Sequence, residues 1–129
     1  MTTKASLLAC LAVAASALSC EKTAPTFAGT VCMDLQHHGV PFAGATVYHV
    51  SNRAESPGFA ENMEELYTRS ERTGLRSTAC FDSLAVGQHH FAARGYDDDI
   101  RQWILGEFEI FLTVADRRVD TVMQVSETH

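Results

Sequence analysis

The residues of this chain with the widest chemical reach are its histidines, and five of them fall in a pattern: His37 beside His38, His49 alone, and His89 beside His90. Imidazole is the commonest protein metal ligand and titrates near neutral pH. The spacing argues against a shared ion. Neighbouring residues on a strand point to opposite faces, so His89 and His90 cannot serve one metal in regular geometry. A site would need His37 or His38 to approach one of them in space. The expectation is no metal centre and no cofactor, with solvated or partly packed imidazoles. "GYDDDI" sets Asp97, Asp98 and Asp99 side by side. A calcium loop spaces its carboxylates and bends at a glycine, so three consecutive aspartates read as a solvated turn. Tyr48, Tyr67, Tyr96 and Trp103 are the candidates for an aromatic ligand platform for a sugar ring or a peptide. The competing role for such rings is core or edge cover. No G-x-S-x-G elbow, phosphate loop or nucleophile–base pairing stands out, and the chain is not expected to be an enzyme.

Cys32 and Cys80 raise a different chemistry. If Val31 and Met33 point inward, Cys32 shares the opposite strand face with Thr30 and Asp34. If Ala79 and Phe81 point inward, Cys80 shares the opposite face with Thr78 and Asp82. A disulfide requires those two strands to be neighbours in a sheet; otherwise both remain thiols. An oxidising compartment would favour the bridge.

The start of the chain speaks to that compartment. Lys4 is followed by "ASLLACLAVAASALS", residues 5 to 19, which carries no charge. The run is shorter than the ~20 apolar residues a spanning helix needs and has the layout of a secretory signal peptide. It ends in "ALSC", which resembles the lipobox of bacterial lipoproteins, with Ala17 where Leu is favoured and Leu18 one place later. The resemblance implies cleavage before Cys20 and lipidation of its sulfur. The alternative is an ordinary leader that leaves Cys20 as a free thiol. Two or more acyl chains suffice for stable anchoring. The expected division is a leader over 1–19, the lipidated cysteine and tether over 20–26, and one domain over 27–129. The protein would be exported and anchored to a bacterial membrane, expected to be the outer one, facing the periplasm or the cell surface.

Charge narrows the partners. Lys4 is the one base that leaves with the leader, so ten bases become nine against sixteen acids, a net of −7. An acidic domain without a basic stripe is unsuited to nucleic acid or to a polybasic grip on anionic lipid. The expected partners are the membrane, through the lipid alone, and an envelope protein or glycan.

Short strands must position all these groups. "FAGTVCMDL" (27–35) alternates with period two, and "QHHGVPFAG" (36–44) is a turn and connector. "ATVYHVS" (45–51) is β-branched and aromatic. Residues 52–65 are irregular, with room for a turn or two of helix around Phe59, Met63 and Leu66. "LYTRS" (66–70), "ERTG" (71–74) and "LRSTACFDSL" (75–84) read as a hairpin. "QHHFAARGY" (88–96), "GEFEIFLTV" (106–114) and "VDTVMQV" (119–125) complete about seven strands. With no long amphipathic helix, the expected class is an all-β sandwich.

"GTVCMDLQHHGVPFAGATVYHV" resembles the opening of carboxypeptidase regulatory-like domains, whose fold is a transthyretin-like (prealbumin-like) β-sandwich. The matching residues are Gly29, Val31, Gly39, Pro41, Gly44, Ala45 and Val47. In "SERTGLRSTACFDSLAVGQHHFAARGYD" they are Gly74, Phe81, Leu84, Gly87, Phe91, Ala93, Gly95 and Tyr96. Leu75 and His89 depart from the pattern, where an aromatic and a Tyr are usual. The resemblance covers residues 27 to 96 and implies a non-catalytic structural or binding module. The sites of related folds are missing. The chain ends "MQVSETH" in place of the Y-R-G-S of hydroxyisourate hydrolases. Lys22, the one lysine after the leader, lies in the tether, away from any core isopeptide bond.

Overall fold

A computed structural model describes residues 28 to 128. The leader, Cys20 and the tether lie outside the described residues. Eight strands follow one another: β1 (Gly29–His37), β2 (Val40–Pro41), β3 (Thr46–Ser51), β4 (Arg69–Arg72), β5 (Thr78–Leu84), β6 (Gly87–Asp97), β7 (Gln102–Leu112) and β8 (Arg118–Glu127). A single 3₁₀ turn at Met63–Glu65, capped by the Asn62 side chain, is the helical element among the described residues.

The strands form one curled, mixed sheet, hydrogen-bonded in the order β2–β1–β8–β7–β6–β3–β4, with β5 also paired to β1. The β1–β8 pair is parallel and the others are antiparallel. The sheet folds over on itself into a sandwich-like body. At one side β8 crosses between the layers, pairing with β7 through Ile104–Glu127 and Leu105–Ser126 only. At the other side β4 meets β5 where Arg69 Nη1 donates to the Asp82 carbonyl at 2.7 Å.

Period-two alternation explains what fills the interior. Val31, Met33 and Leu35 from β1 meet Phe81 from β5, Phe91 from β6, and Ile104, Leu112 and Met123 from β7 and β8, all essentially fully buried. Gly106 sits among these inward positions because a side chain would not fit. A Cβ there would lie 2.6 Å from the Gln124 carbonyl oxygen and 2.7 Å from Val125 Cγ1. Its absence lets β8 cross close to β7. β7 runs through this glycine and starts at Gln102, four residues before the expected strand. A second, smaller core lies on the outer face of β3 and β6, where the segment 52–68 folds down and buries Tyr48, Val50, Met63, Tyr67 and Ala92.

The expected hairpin of residues 66–84 is not formed. β4 pairs with β3 and β5 pairs with β1, so the two strands belong to opposite layers. The apolar side chains of β5 need the main core, while β4, "RSER", is a charged edge that discourages further pairing. Thr73 turns the chain between them: its Oγ1 accepts from the Gly44 and Ala45 amides at 2.8 and 3.0 Å. In the β1–β5 register Cys32 lies opposite Cys80, and the two sulfurs are bonded across a sequence separation of 48. Closing a loop of that length stabilises by about 4 kcal/mol in the chain-entropy picture.

Candidate functional site

One end of the sandwich gathers the tip of the β1–β2 hairpin, the β6–β7 loop and the last residues of β8. His37 is the final member of the inward series of β1 and is 8% exposed. It pairs with Val40 across a two-residue turn in which His38 and Gly39 both have positive φ, 55° and 78°. Such a double left-handed turn matches the twist of a hairpin, and it brings the His38 ring beside that of His37, with centroids 4.3 Å apart. The parallel β1–β8 pairing sets His37 opposite Val125, so Glu127 emerges just beyond it.

Hydrogen bonds fix the protons of this group. His37 Nδ1 lies 3.1 Å from Asp97 Oδ2. An ionised carboxylate only accepts, so Nδ1 carries a hydrogen, and in the neutral ring His37 Nε2 keeps the lone pair. That Nε2 is buried, makes no hydrogen bond, and lies 3.2 Å from Glu127 Oε2. His38 Nε2 approaches the same oxygen at 2.8 Å. The hydrogen bond from His38 is the main reason the Glu127 carboxyl is held down at about 2, well below the usual carboxylate range. Asp97 also accepts from the Asp99 amide at 2.9 Å, so the run of aspartates is a local turn with one member turned toward His37. A depression of about 390 Å³, lined by His37, His38, Phe42, Asp97, Asp99 and Ile100 among others, opens over the group. The sequence points to a second histidine strand as the partner of His37 and His38, and the structure supplies Glu127 in its place. A carboxylate at the chain's far end carries no local signal of its role.

His49, His89 and His90 lie elsewhere and are buried. His89 Nε2 donates to the Ala85 carbonyl at 2.7 Å, which leaves Nδ1 to accept from His49 Nε2 at 2.8 Å. His49 Nδ1 is then buried without a partner. Burial above all, then the like charges of His89, Arg69 and His90, pushes the His49 imidazole down to about 4. His90 points to the other face, donating from Nε2 to the Arg53 carbonyl at 2.8 Å. Ser56, His90, Glu107 and Glu109 line a depression of about 280 Å³, but Ser56 Oγ donates to Glu107 at 2.7 Å. No serine–histidine relay is made there.

The four aromatic residues do not form one platform. Tyr48 and Tyr67, with centroids 6.0 Å apart, are packed under the 52–68 segment, and the Tyr67 hydroxyl donates to the Gly58 carbonyl at 2.8 Å. The outward position of Tyr48 on β3 does not expose it, because the loop that carries Tyr67 covers that face. Tyr96 and Trp103 pair across β6 and β7, edge to face at 5.3 Å, and both are exposed, Trp103 by 52%. Trp103 forms part of a groove of about 560 Å³ with Phe59, Glu61, Arg94 and Leu105. The Arg94 guanidinium lies 5.6 Å from the indole centroid. Cys32 and Cys80 are bonded, as described, and Cys20 lies outside the described residues. Compared with known proteins, the chain matches no family model and no curated sequence.

Proposed function

We propose that the chain is a bacterial lipoprotein, anchored through Cys20, whose β-sandwich is a non-catalytic structural or binding module of the envelope. The observation that carries this reading is the charge-free run ending in "ALSC", followed by a six-residue polar tether and a sandwich-like domain. The finer assignment to the transthyretin-like, carboxypeptidase regulatory-like class draws support from the resemblance glycines. Gly39, Gly44, Gly74 and Gly87 all adopt positive φ between strands or at a strand's start, where glycine is the residue without strain. Labelling cells with a radioactive fatty acid tests the anchor. Wild type takes up label and partitions with membranes, whereas Cys20→Ala does neither; equal labelling of both ends the proposal.

A second reading, that the module is a carbohydrate- or peptide-binding accessory of an envelope complex, is favoured by the exposed Trp103–Tyr96 pair beside an open groove. Ring faces beside a guanidinium suit a sugar ring or an extended peptide. Trp103 is the one tryptophan of the chain, so its fluorescence reports the groove directly. Titration with cell-wall glycan and peptide fragments should shift the emission, and Trp103→Ala should weaken binding at least tenfold by calorimetry. Binding that survives Trp103→Ala unchanged removes the groove from consideration.

A further inference from the structure

We propose that His37, His38 and Glu127 form a binding site for a borderline divalent transition-metal ion of the zinc type, with Asp97 as the residue that positions His37. His37 Nε2, His38 Nε2 and a Glu127 oxygen lie within 4.8 Å of one another. A tetrahedral ion with bonds of about 2.0–2.2 Å holds its ligand atoms about 3.3 Å apart. The 3.2 Å between His37 Nε2 and Glu127 Oε2 already has that value. The 2.8 Å between His38 Nε2 and the same oxygen widens through rotation of a side chain that is 71% exposed.

An independent observation points to a ligand. The His37 side chain is 7% exposed, and its Nε2 is a buried polar atom with no hydrogen-bond partner, aimed at the Glu127 carboxylate. Two acceptors facing each other at this distance are satisfied by positive charge between them, a proton on Nε2 or a metal ion in its place. The tautomer is the right one: Asp97 holds the hydrogen on Nδ1, so the nitrogen that faces the cluster is the one free to coordinate. A carboxylate behind a ligating imidazole is the usual outer support of such ions and raises the basicity of the ring. At His38 the ion takes the place of the Nε2 hydrogen now shared with Glu127, and the neutral ring carries its hydrogen on Nδ1 instead.

Donor chemistry chooses the ion. Two imidazoles and one carboxylate suit zinc and its neighbours, whereas calcium and magnesium prefer an all-oxygen shell. Three protein ligands leave a fourth position, and His37 and His38 themselves line the depression shared with Asp99 and Ile100. A water or a side chain of an envelope partner fits there. The ion would tie the β1–β2 turn to the end of β8 and, through Asp97, to the β6–β7 loop.

The test uses the full chain, purified in detergent, stripped with a chelator and with its disulfide intact. Zinc is titrated by calorimetry and cobalt serves as the spectroscopic probe. One ion per chain is expected, with a cobalt spectrum of nitrogen and oxygen ligation. His38→Ala and Glu127→Gln, both at the surface, should each weaken zinc at least about 100-fold. Asp97→Asn should weaken it about 10- to 100-fold at unchanged stoichiometry. A far-ultraviolet spectrum like that of wild type verifies that each variant is folded. No uptake, or an affinity unchanged in both His38→Ala and Glu127→Gln, overturns the site. A thiolate-to-cobalt absorption band also overturns it, since it places the ion on a cysteine and not on these three residues.

Discussion

His49 and His37 are the same side chain at similar burial, 4% and 8% exposed, yet the fold prepares them for opposite ends. His49 sits mid-strand on β3, its ring 5.6 Å from Phe81 and 4.9 Å from Phe91, and its one partner is another imidazole. Nothing negative faces it, so the neutral form is enforced. His37 closes the end of β1, with carboxylates within 3.2 Å of both ring nitrogens. A low-dielectric setting with no counter-charge stores a neutral imidazole as packing material; the same ring between two anions is a receptor for positive charge. Surroundings, and not burial alone, decide what a buried histidine does.

The contrast can be broken most severely from the packed side. Phe81→Ala removes a fully buried ring that contacts both His49 and Phe91, and should cost about 3–5 kcal/mol in urea unfolding. Acid should reveal the difference next. His49 has a folded value of about 4 against 6.5 for the unfolded chain, so below pH 6.5 the unfolded state binds the extra proton. Stability present above pH 6.5 is lost as the pH falls toward 4, by about 3 kcal/mol in full. Urea midpoints at pH 7 and pH 4.5 should separate in wild type, and His49→Gln should remove that part of the slope. A slope unchanged in the variant would place the acid sensitivity elsewhere.

The open end should respond weakly in the absence of metal. Glu127→Gln breaks contacts to an exposed His38 and should leave the urea midpoint of the metal-free chain close to that of wild type. The smallest effect sharpens the comparison. His38→Asn keeps a residue tolerant of positive φ in the hairpin turn, so thermal unfolding should stay within about 0.5 kcal/mol of wild type. Its zinc affinity should fall as far as in His38→Ala. A large stability loss would mean that the ring, and not the backbone position, holds the turn.

Several of these features were legible before the fold was known. Alternation in "FAGTVCMDL" and "QHHFAARGY" marks real strands, and the parity of Cys32 and Cys80 put both on the outer faces of theirs. The false hairpin at 66–84 shows where local reading stops. "LYTRS" and "RSTACFDSL" are adjacent in sequence and strand-like, but their polarity differs, and a charged edge does not pair with a core strand when a better partner is free. Tyr48 and Tyr67 are covered, and not open to solvent, for a related reason. Strand periodicity says which face a ring occupies and not whether a loop will cover it.

By itself, the sequence determined the class of fold, the inward residues of most strands and the places where glycine must turn the chain. These depend on interactions between near neighbours: period-two burial and the freedom of a residue without a Cβ. Only the tertiary structure decided that β1 lies parallel to β8, and therefore that Glu127 stands 89 residues along the chain from His38 and yet within hydrogen-bonding reach of it. Parallel pairing joins segments that share no turn, so no local pattern announces it, and the chemistry at that end of the molecule exists only once the sheet has curled shut.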